Sequence, residues 1–177
     1  GTNAPRFENI HRFPYIFKLI QQFIQNNKIL SGHDRSDGGL ITTIIEMCIS
    51  SNYGAEINIK SQADYISYLF NEELGLVIEI LEKDYQQISN EINNFCPCYY
   101  LGKVTQNPSI TINYNNTQLI KENISYFIDL WETSSYSIEL KQTNRDCAIS
   151  EMKNLLDHKL PYTYIPEMVV QKRKAYI

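Results

Sequence analysis

The residues best equipped for chemistry lie together in Ser31-Gly-His-Asp-Arg-Ser-Asp-Gly-Gly-Leu40. Two carboxylates, Asp34 and Asp37, flank the hydroxyl of Ser36, and Gly38 and Gly39 follow directly. A bare carboxylate repels a phosphate, but Mg²⁺ prefers hard oxygen ligands and commonly bridges one or two carboxylates to substrate phosphates. The glycines add a second anion-binding element. Backbone N–H groups in the first turn of a helix have no partner inside it. With no side chains in the way, those of Gly38 and Gly39 can approach a phosphate oxygen, and the helix dipole favours the anion. These residue types therefore suit a Mg-nucleotide or phosphate site at a turn. They equally suit a capped helix after a glycine turn, because Gly- and Asp-rich turns are common. Local chemistry leaves both readings open.

Such a site needs a strand to enter the turn and a helix to leave it. Lys28-Ile-Leu30 is an apolar lead-in, and Leu40 to Ile49 is an apolar run at helical spacing. The pattern predicts an extended segment, a tight turn, then a helix with Ser36 or Asp37 at its N-cap. Leu40, Ile41, Ile44, Ile45, Met47 and Cys48 form a broad apolar face of the kind buried against a sheet. Thr42, Thr43 and Glu46 lie off its most apolar line, and Asn52-Tyr-Gly54 supplies the stop.

Upstream, Asn9 to Asn27 reads as a helix with Pro14 near its start. Its Phe13, Phe17, Ile20, Phe23 and Ile24 are expected in the core. Downstream, Ala55 to Ile59 alternates as a strand with Ile57 and Ile59 on one face. Ser61 to Leu69 reads as a short helix, Leu76 to Ile80 as a strand, and Glu82 to Phe95 as an amphipathic helix with Tyr85, Ile88 and Ile92 inward. Cys98 to Thr105 and Ser109 to Asn113 are expected to pair as a hairpin around Asn107-Pro108. A further turn at Tyr114-Asn-Asn-Thr117 lets Gln118-Leu-Ile120 pair back. Lys121 to Leu140 is expected to be helical, with Ile124, Phe127, Ile128 and Trp131 at helical spacing, and Asp146 to Asp157 forms a last helix. From Lys159 periodicity ceases, and Pro161 and Pro166 suggest an extended linker. Helices and strands that alternate and end in a hairpin indicate an α+β domain, a mixed sheet covered by helices.

A chain of 177 residues with 43% hydrophobic content suits one domain with a real core. A net charge of −4 gives no sign of a nucleic-acid surface. No apolar run approaches bilayer-spanning length, and the polar start Gly1 to Arg6 does not read as a signal peptide. The start also lacks an initiator Met, which suggests a piece cut from a longer protein, with Gly1 left over from cloning. Of Cys48, Cys96, Cys98 and Cys147, only Cys96-Pro-Cys98 is clustered, and its spacing is not that of a zinc pair. The expectation is a reduced, cytoplasmic protein with buried thiols.

His33-Asp-Arg-Ser-Asp-Gly-Gly-Leu40 closely resembles the H-D-x-S-D-G-G-L signature of the phosphoribosylformylglycinamidine synthase family. A looser D-x-S-D-G-L form occurs across the wider aminoimidazole ribonucleotide synthetase superfamily. Later segments resemble the same family in order and spacing. Leu69-Phe-Asn-Glu-Glu-Leu-Gly-Leu76 is similar to L-F-x-E-E-x-G-x, and Leu101-Gly102 to a strand ending in Leu-Gly. Leu130-Trp-Glu-Thr-Ser-Ser-Tyr136 is similar to L-W-E-E-T-S-[FY], and Asn144-Arg-Asp-Cys-Ala148 with Glu151 to x-P-x-C-A-x-x-E. The departures are Thr133 and Ser134, in place of Glu-Thr, and Arg145, in place of Pro.

The resemblance implies a C-terminal synthetase-type subdomain, residues 4–158, of the second half of a larger ligase. Residues 159–177 would lead to a glutaminase domain. It implies conversion of formylglycinamide ribonucleotide, ATP and glutamine to formylglycinamidine ribonucleotide, ADP, phosphate and glutamate, with the remaining domains of the polypeptide as partners. The fragment alone would lack turnover. The resemblance makes Asp34 a Mg²⁺ ligand and Ser36 a nucleotide contact, at either a catalytic or an auxiliary ATP/ADP site. Gly38 and Gly39 join them from helix geometry. His33 reads as a local hydrogen-bond partner, and Glu72-Glu73 as a polar turn before a strand or a support behind the site. The alternative is a scaffold or interaction domain that keeps the fold without the chemistry.

Overall fold

A computed structural model describes residues 9–157. Contacts divide the chain into two units, one ending at Trp131 and the other beginning at Glu132. The linker expected from Lys159 lies outside the described residues.

The first unit contains two sheets. Strand β1 (Ile29–Arg35) pairs antiparallel with β3 (Gly75–Ile80), with Asp34 opposite Leu76 and Arg35 opposite Gly75. The second sheet has four strands in the order β4 (Gly102–Thr105), β2 (Gly54–Ile59), β5 (Ser109–Tyr114), β6 (Thr117–Asn123). It is mixed, because β2 runs parallel to β5 and antiparallel to β4. The hairpin expected between Cys98–Thr105 and Ser109–Asn113 therefore does not form. Strand β2 lies between the two, and its alternating Ala55, Ile57 and Ile59 stand in register with Ile110, Ile112 and Tyr114. That pairing merges two apolar faces into one, which a β4–β5 hairpin could not do. The hairpin that does form joins β5 to β6 through Asn115 and Asn116, both at positive φ.

Helix α2 (Gly39–Ser51) buries Leu40, Ile41, Ile44 and Cys48 in the cluster built on that apolar face. Ile124, Phe127 and Ile128, from the start of α5 (Ile124–Gln142), complete it. The helix expected from Lys121 begins three residues later, because Lys121, Glu122 and Asn123 extend β6. Trp131, at the same helical spacing, is exposed. Gly102 has a structural reason: a Cβ there would meet the Glu56 carbonyl across the β2–β4 pair.

A second, smaller cluster joins Phe23 of α1 (Phe13–Gln25) to Ile88 and Ile92 of α4 (Tyr85–Asn93), against Ile29, Ile78 and Ile80 of the two-stranded ribbon. Of the apolar residues expected to be core on α1, only Phe23 is buried, and Phe13, Phe17 and Ile24 are exposed. The apolar arc of this helix is wider than the small cluster that covers it. Helix α3 is confined to Tyr65–Leu69, since Asp64 caps it through the Ser67 N–H at 2.9 Å. In the second unit, α6 (Arg145–Asp157) starts where the Asn144 side chain accepts from the Asp146 N–H at 2.8 Å. All four cysteines are free thiols, but Cys147 is exposed, which corrects the expectation of buried ones.

Candidate functional site

The motif residues occupy the end of β1, the turn beyond it and the first residues of α2. The strand continues through His33, Asp34 and Arg35, so the turn proper is Ser36 to Gly38. Alternation along β1 leaves Asp34 outward, with 75% of its side chain exposed. Ser36 and Asp37 are exposed beside it.

The helix cap differs from expectation. Gly38 is the N-cap, at φ 80°, and neither Ser36 nor Asp37 caps with its side chain. The Ser36 carbonyl closes the turn by accepting from the Gly39 N–H at 3.0 Å. Gly39 also has positive φ, and a Cβ there would come within 2.6 Å of the Phe70 carbonyl carbon. Its glycine identity is thus set by backbone packing against the end of α3. The Gly38 N–H donates to the Glu72 carboxylate at 2.9 Å. Both N–H groups expected to face a phosphate are therefore engaged within the chain.

Beneath the turn, Asp34 is held by its backbone. Its carbonyl accepts from the His33 ring Nδ1–H at 2.7 Å and from the Thr43 hydroxyl at 3.2 Å. The other ring nitrogen of His33 faces the Glu46 carboxylate at 3.3 Å. Thr43 and Glu46 share one face of α2, which points toward β1. Thr43 is buried, and its hydroxyl also reaches the Gly39 carbonyl. His33 is thus a local hydrogen-bond partner. Arg35 reaches across the ribbon, donating to the Glu73 carbonyl and, at 3.3 Å, to the Leu74 carbonyl.

The structure therefore joins two stretches distant in sequence, 31–40 and 69–76. Thr43, Glu46 and Arg35 were not legible as parts of the site. A Thr–Glu pair on an otherwise apolar helix was the available signal for the first two, and Arg35 gave none. Glu72 was legible only as part of an acidic pair.

Among the described residues no three His, Cys, Asp or Glu side chains group as a metal site. The exposed Asp34 and Asp37 carboxylates on either side of the Ser36 hydroxyl still fit Mg²⁺, which takes one or two protein carboxylates and completes its shell with phosphate and water. A separate cleft of about 220 Å³, lined by Asn58, Lys60, Tyr68, Tyr99, Tyr100 and Leu101 among others, contains none of the motif residues.

The model of the AIR synthase related protein, C-terminal domain, matches residues 11–115, more than half of the chain. The chain belongs to this family. Among curated relatives it is 39% identical over 174 residues to phosphoribosylformylglycinamidine synthase of Dictyostelium discoideum, covering 87% of this chain and 12% of that protein. It is 32% identical over 167 residues to the Schizosaccharomyces pombe enzyme of the same name, covering 91% of this chain and 13% of that one. The chain thus spans about an eighth of these relatives. Among solved structures, PurL of T. maritima complexed with FGAR superposes with TM-score 0.56 at 12% identity, over 63% of this chain and 20% of that one. The ATP complex gives the same TM-score. At that identity the likeness establishes the α+β fold alone, and the ribbon and turn described above lie within residues 11–115, which the family model matches.

Proposed function

We propose that this chain is the part of a phosphoribosylformylglycinamidine synthase that supplies Asp34 and Ser36 to a Mg-nucleotide site. Asp34 would ligate the metal and the Ser36 hydroxyl would contact the nucleotide. Gly38 and Gly39 belong to the site through the shape they give the turn rather than through free N–H groups. The observation that carries the reading is the joint exposure of Asp34, at the end of β1, and Ser36, in the turn after it, with the Asp34 carbonyl held from beneath by Thr43 and His33. The T. maritima complexes with ATP and ADP support a nucleotide as ligand.

When bound, Mg²⁺ would neutralise phosphate charge. The chain's own residues present the carboxylate, orient it and keep the turn rigid. The whole ligase would convert formylglycinamide ribonucleotide, ATP and glutamine to formylglycinamidine ribonucleotide, ADP, phosphate and glutamate. ATP would activate the amide oxygen, and ammonia from a glutaminase domain would displace it. In this reading residues 4–158 form the synthetase-type domain, and 159–177 lead to the glutaminase. With a single metal-ligating carboxylate, the chain depends on other domains of the polypeptide for turnover. We place the protein in the cytoplasm on its free thiols, although the name of the Arabidopsis thaliana relative assigns that protein to chloroplast or mitochondrion. No helix among the described residues is long and apolar enough to cross a membrane.

The test is calorimetric titration of Mg·ADP into the chain with Asp34→Ala as control. Saturable binding that the substitution abolishes supports the reading, and equal binding by both proteins refutes it. The engaged N–H groups of Gly38 and Gly39 favour the second reading, a scaffold without nucleotide chemistry. Asp34→Asn in a full-length synthase separates the two, because a scaffold would keep both its activity and its nucleotide content.

A further inference from the structure

Resting on the nucleotide reading, we propose that Glu72 is a positioning residue for that site: its carboxylate takes the Gly38 N–H and so fixes the turn that carries Ser36 and leaves β1 just after Asp34. The position of Glu72 is itself fixed from three sides. Arg35 holds the next two carbonyls, those of Glu73 and Leu74. The Asn71 side chain accepts from the Glu73 N–H at 2.6 Å, folding the segment into an Asx turn. Gly39 lies so close to the backbone of Leu69 and Phe70 that a Cβ would not fit between them. The Glu72 carboxylate meets Gly38 at 2.9 Å within this frame, at the positive end of α2. An internal anion therefore holds the place at the helix start where a phosphate oxygen would otherwise compete. A nucleotide is then left to the outward groups, the Asp34 carboxylate through its metal and the Ser36 hydroxyl. Sequence alone cannot separate this role from a plain polar turn, because Glu72 reaches Gly38 only once β1 and β3 have paired.

The experiment compares wild type, Glu72→Gln, Glu72→Ala and Asp34→Ala by Mg·ADP calorimetry and by the ¹⁵N–¹H resonance of Gly38. Gln keeps an acceptor oxygen, so Glu72→Gln should bind Mg·ADP within about threefold of wild type. Glu72→Ala should bind about tenfold more weakly, a loss of about 1.4 kcal/mol, and should shift the Gly38 amide resonance while the amides of β5 stay in place. Glu72→Ala binding as wild type does, or a Gly38 resonance identical in wild type and Glu72→Ala, overturns the inference. Asp34→Ala binding as wild type does overturns the nucleotide reading instead, so the two failures are distinguishable.

Discussion

In the four-stranded sheet, Ile110 and Ile112 of β5 are fully buried, at 0% exposure. In the two-stranded ribbon, no residue of β1 or β3 reaches that class. The sheet is stabilised by apolar area, where a fully buried Ile contributes roughly 1.5–3 kcal/mol. The ribbon has the small Phe23–Ile88–Ile92 cluster behind it and Val77 against the edge of the main one, and two strands alone are marginal in water. What fixes the ribbon end that carries Asp34 is polar and steric: Arg35 on two carbonyls, Glu72 on Gly38, and Gly39 against Phe70. Stability and presentation are thus assigned to different layers. In the layer that exposes a carboxylate and a hydroxyl, hydrogen bonds and close backbone packing take the place of much of the hydrophobic area.

The largest effect expected from this division is Ile112→Ala, which removes a side chain at 0% exposure and should cost about 2–5 kcal/mol. Leu76→Ala, at 48% exposure opposite Asp34, should cost less than about 1 kcal/mol. Urea unfolding midpoints read both. Equal losses would break the comparison, since the ribbon would then depend on apolar area as much as the sheet does.

Next comes a pair of glycines on the site side. Gly39→Ala combines φ +74° with a Cβ 2.6 Å from the Phe70 carbonyl carbon, and should cost about 1–3 kcal/mol or more. Gly32→Ala, one strand earlier, meets only ordinary contacts at 3.4 and 3.5 Å, and should stay within about 0.5 kcal/mol of wild type. Thermal melts of the two variants decide the point. A tolerated Gly39→Ala would mean that the turn is not locked against α3.

Most elements of both layers were legible because each carries its own period or stop signal. Helix α2 showed its apolar face and its Asn52 stop, and β2 showed its alternation. What stayed hidden depends on pairing between distant segments. Nothing local says that β2 inserts between β4 and β5, since Cys98–Thr105 and Ser109–Asn113 are separated by a good hairpin turn. The exposed face of α1 was misread for a related reason: periodicity reports that a face is apolar, not how much of it finds a cover. At the site, the motif's wording pointed to Asp34 and Ser36. The groups that hold the turn come from α2 and from the 69–76 stretch, and only the fold brings those to Gly38. The cap was misplaced because two successive glycines at positive φ let a backbone carbonyl close the turn without a side chain.

Cys48 sharpens the comparison through pH. Burial in the sheet-side cluster, helped by the negative charge of Glu79, pushes its thiol up from the usual value near 9 to about 11. The folded state thus keeps its proton where the unfolded chain would lose it. The contribution is complete below about pH 9 and is lost as pH rises toward 11. The melting temperature should fall across that window more steeply in wild type than in Cys48→Ala. Parallel slopes would show that the thiol is not kept protonated by the core. Alkylation followed by mass spectrometry gives a second readout: exposed Cys147 should react first and buried Cys48 last.

The smallest effect lies at the rim of the stable layer, in the β5–β6 turn. Asn115 and Asn116 both have positive φ, at 49° and 66°, which Asn tolerates and Gly adopts freely. The two differ in what their side chains do. Asn115 accepts from the Ser61 N–H at 3.1 Å and donates to the Ser61 carbonyl at 2.8 Å, tying the hairpin to the chain leaving β2. Asn116→Gly relieves left-handed strain but adds freedom to the unfolded chain, and the two should cancel to within about 0.5 kcal/mol. Asn115→Gly loses both Ser61 bonds and should cost about 1–2 kcal/mol, near 1 for each net hydrogen bond. Chemical denaturation of the two variants separates these terms. If both lose the same amount, the backbone conformation of the turn decides its stability. If only Asn115→Gly loses, side-chain hydrogen bonds hold the edge of the sheet much as they hold the site turn on the ribbon, and the division between the layers applies to their interiors alone.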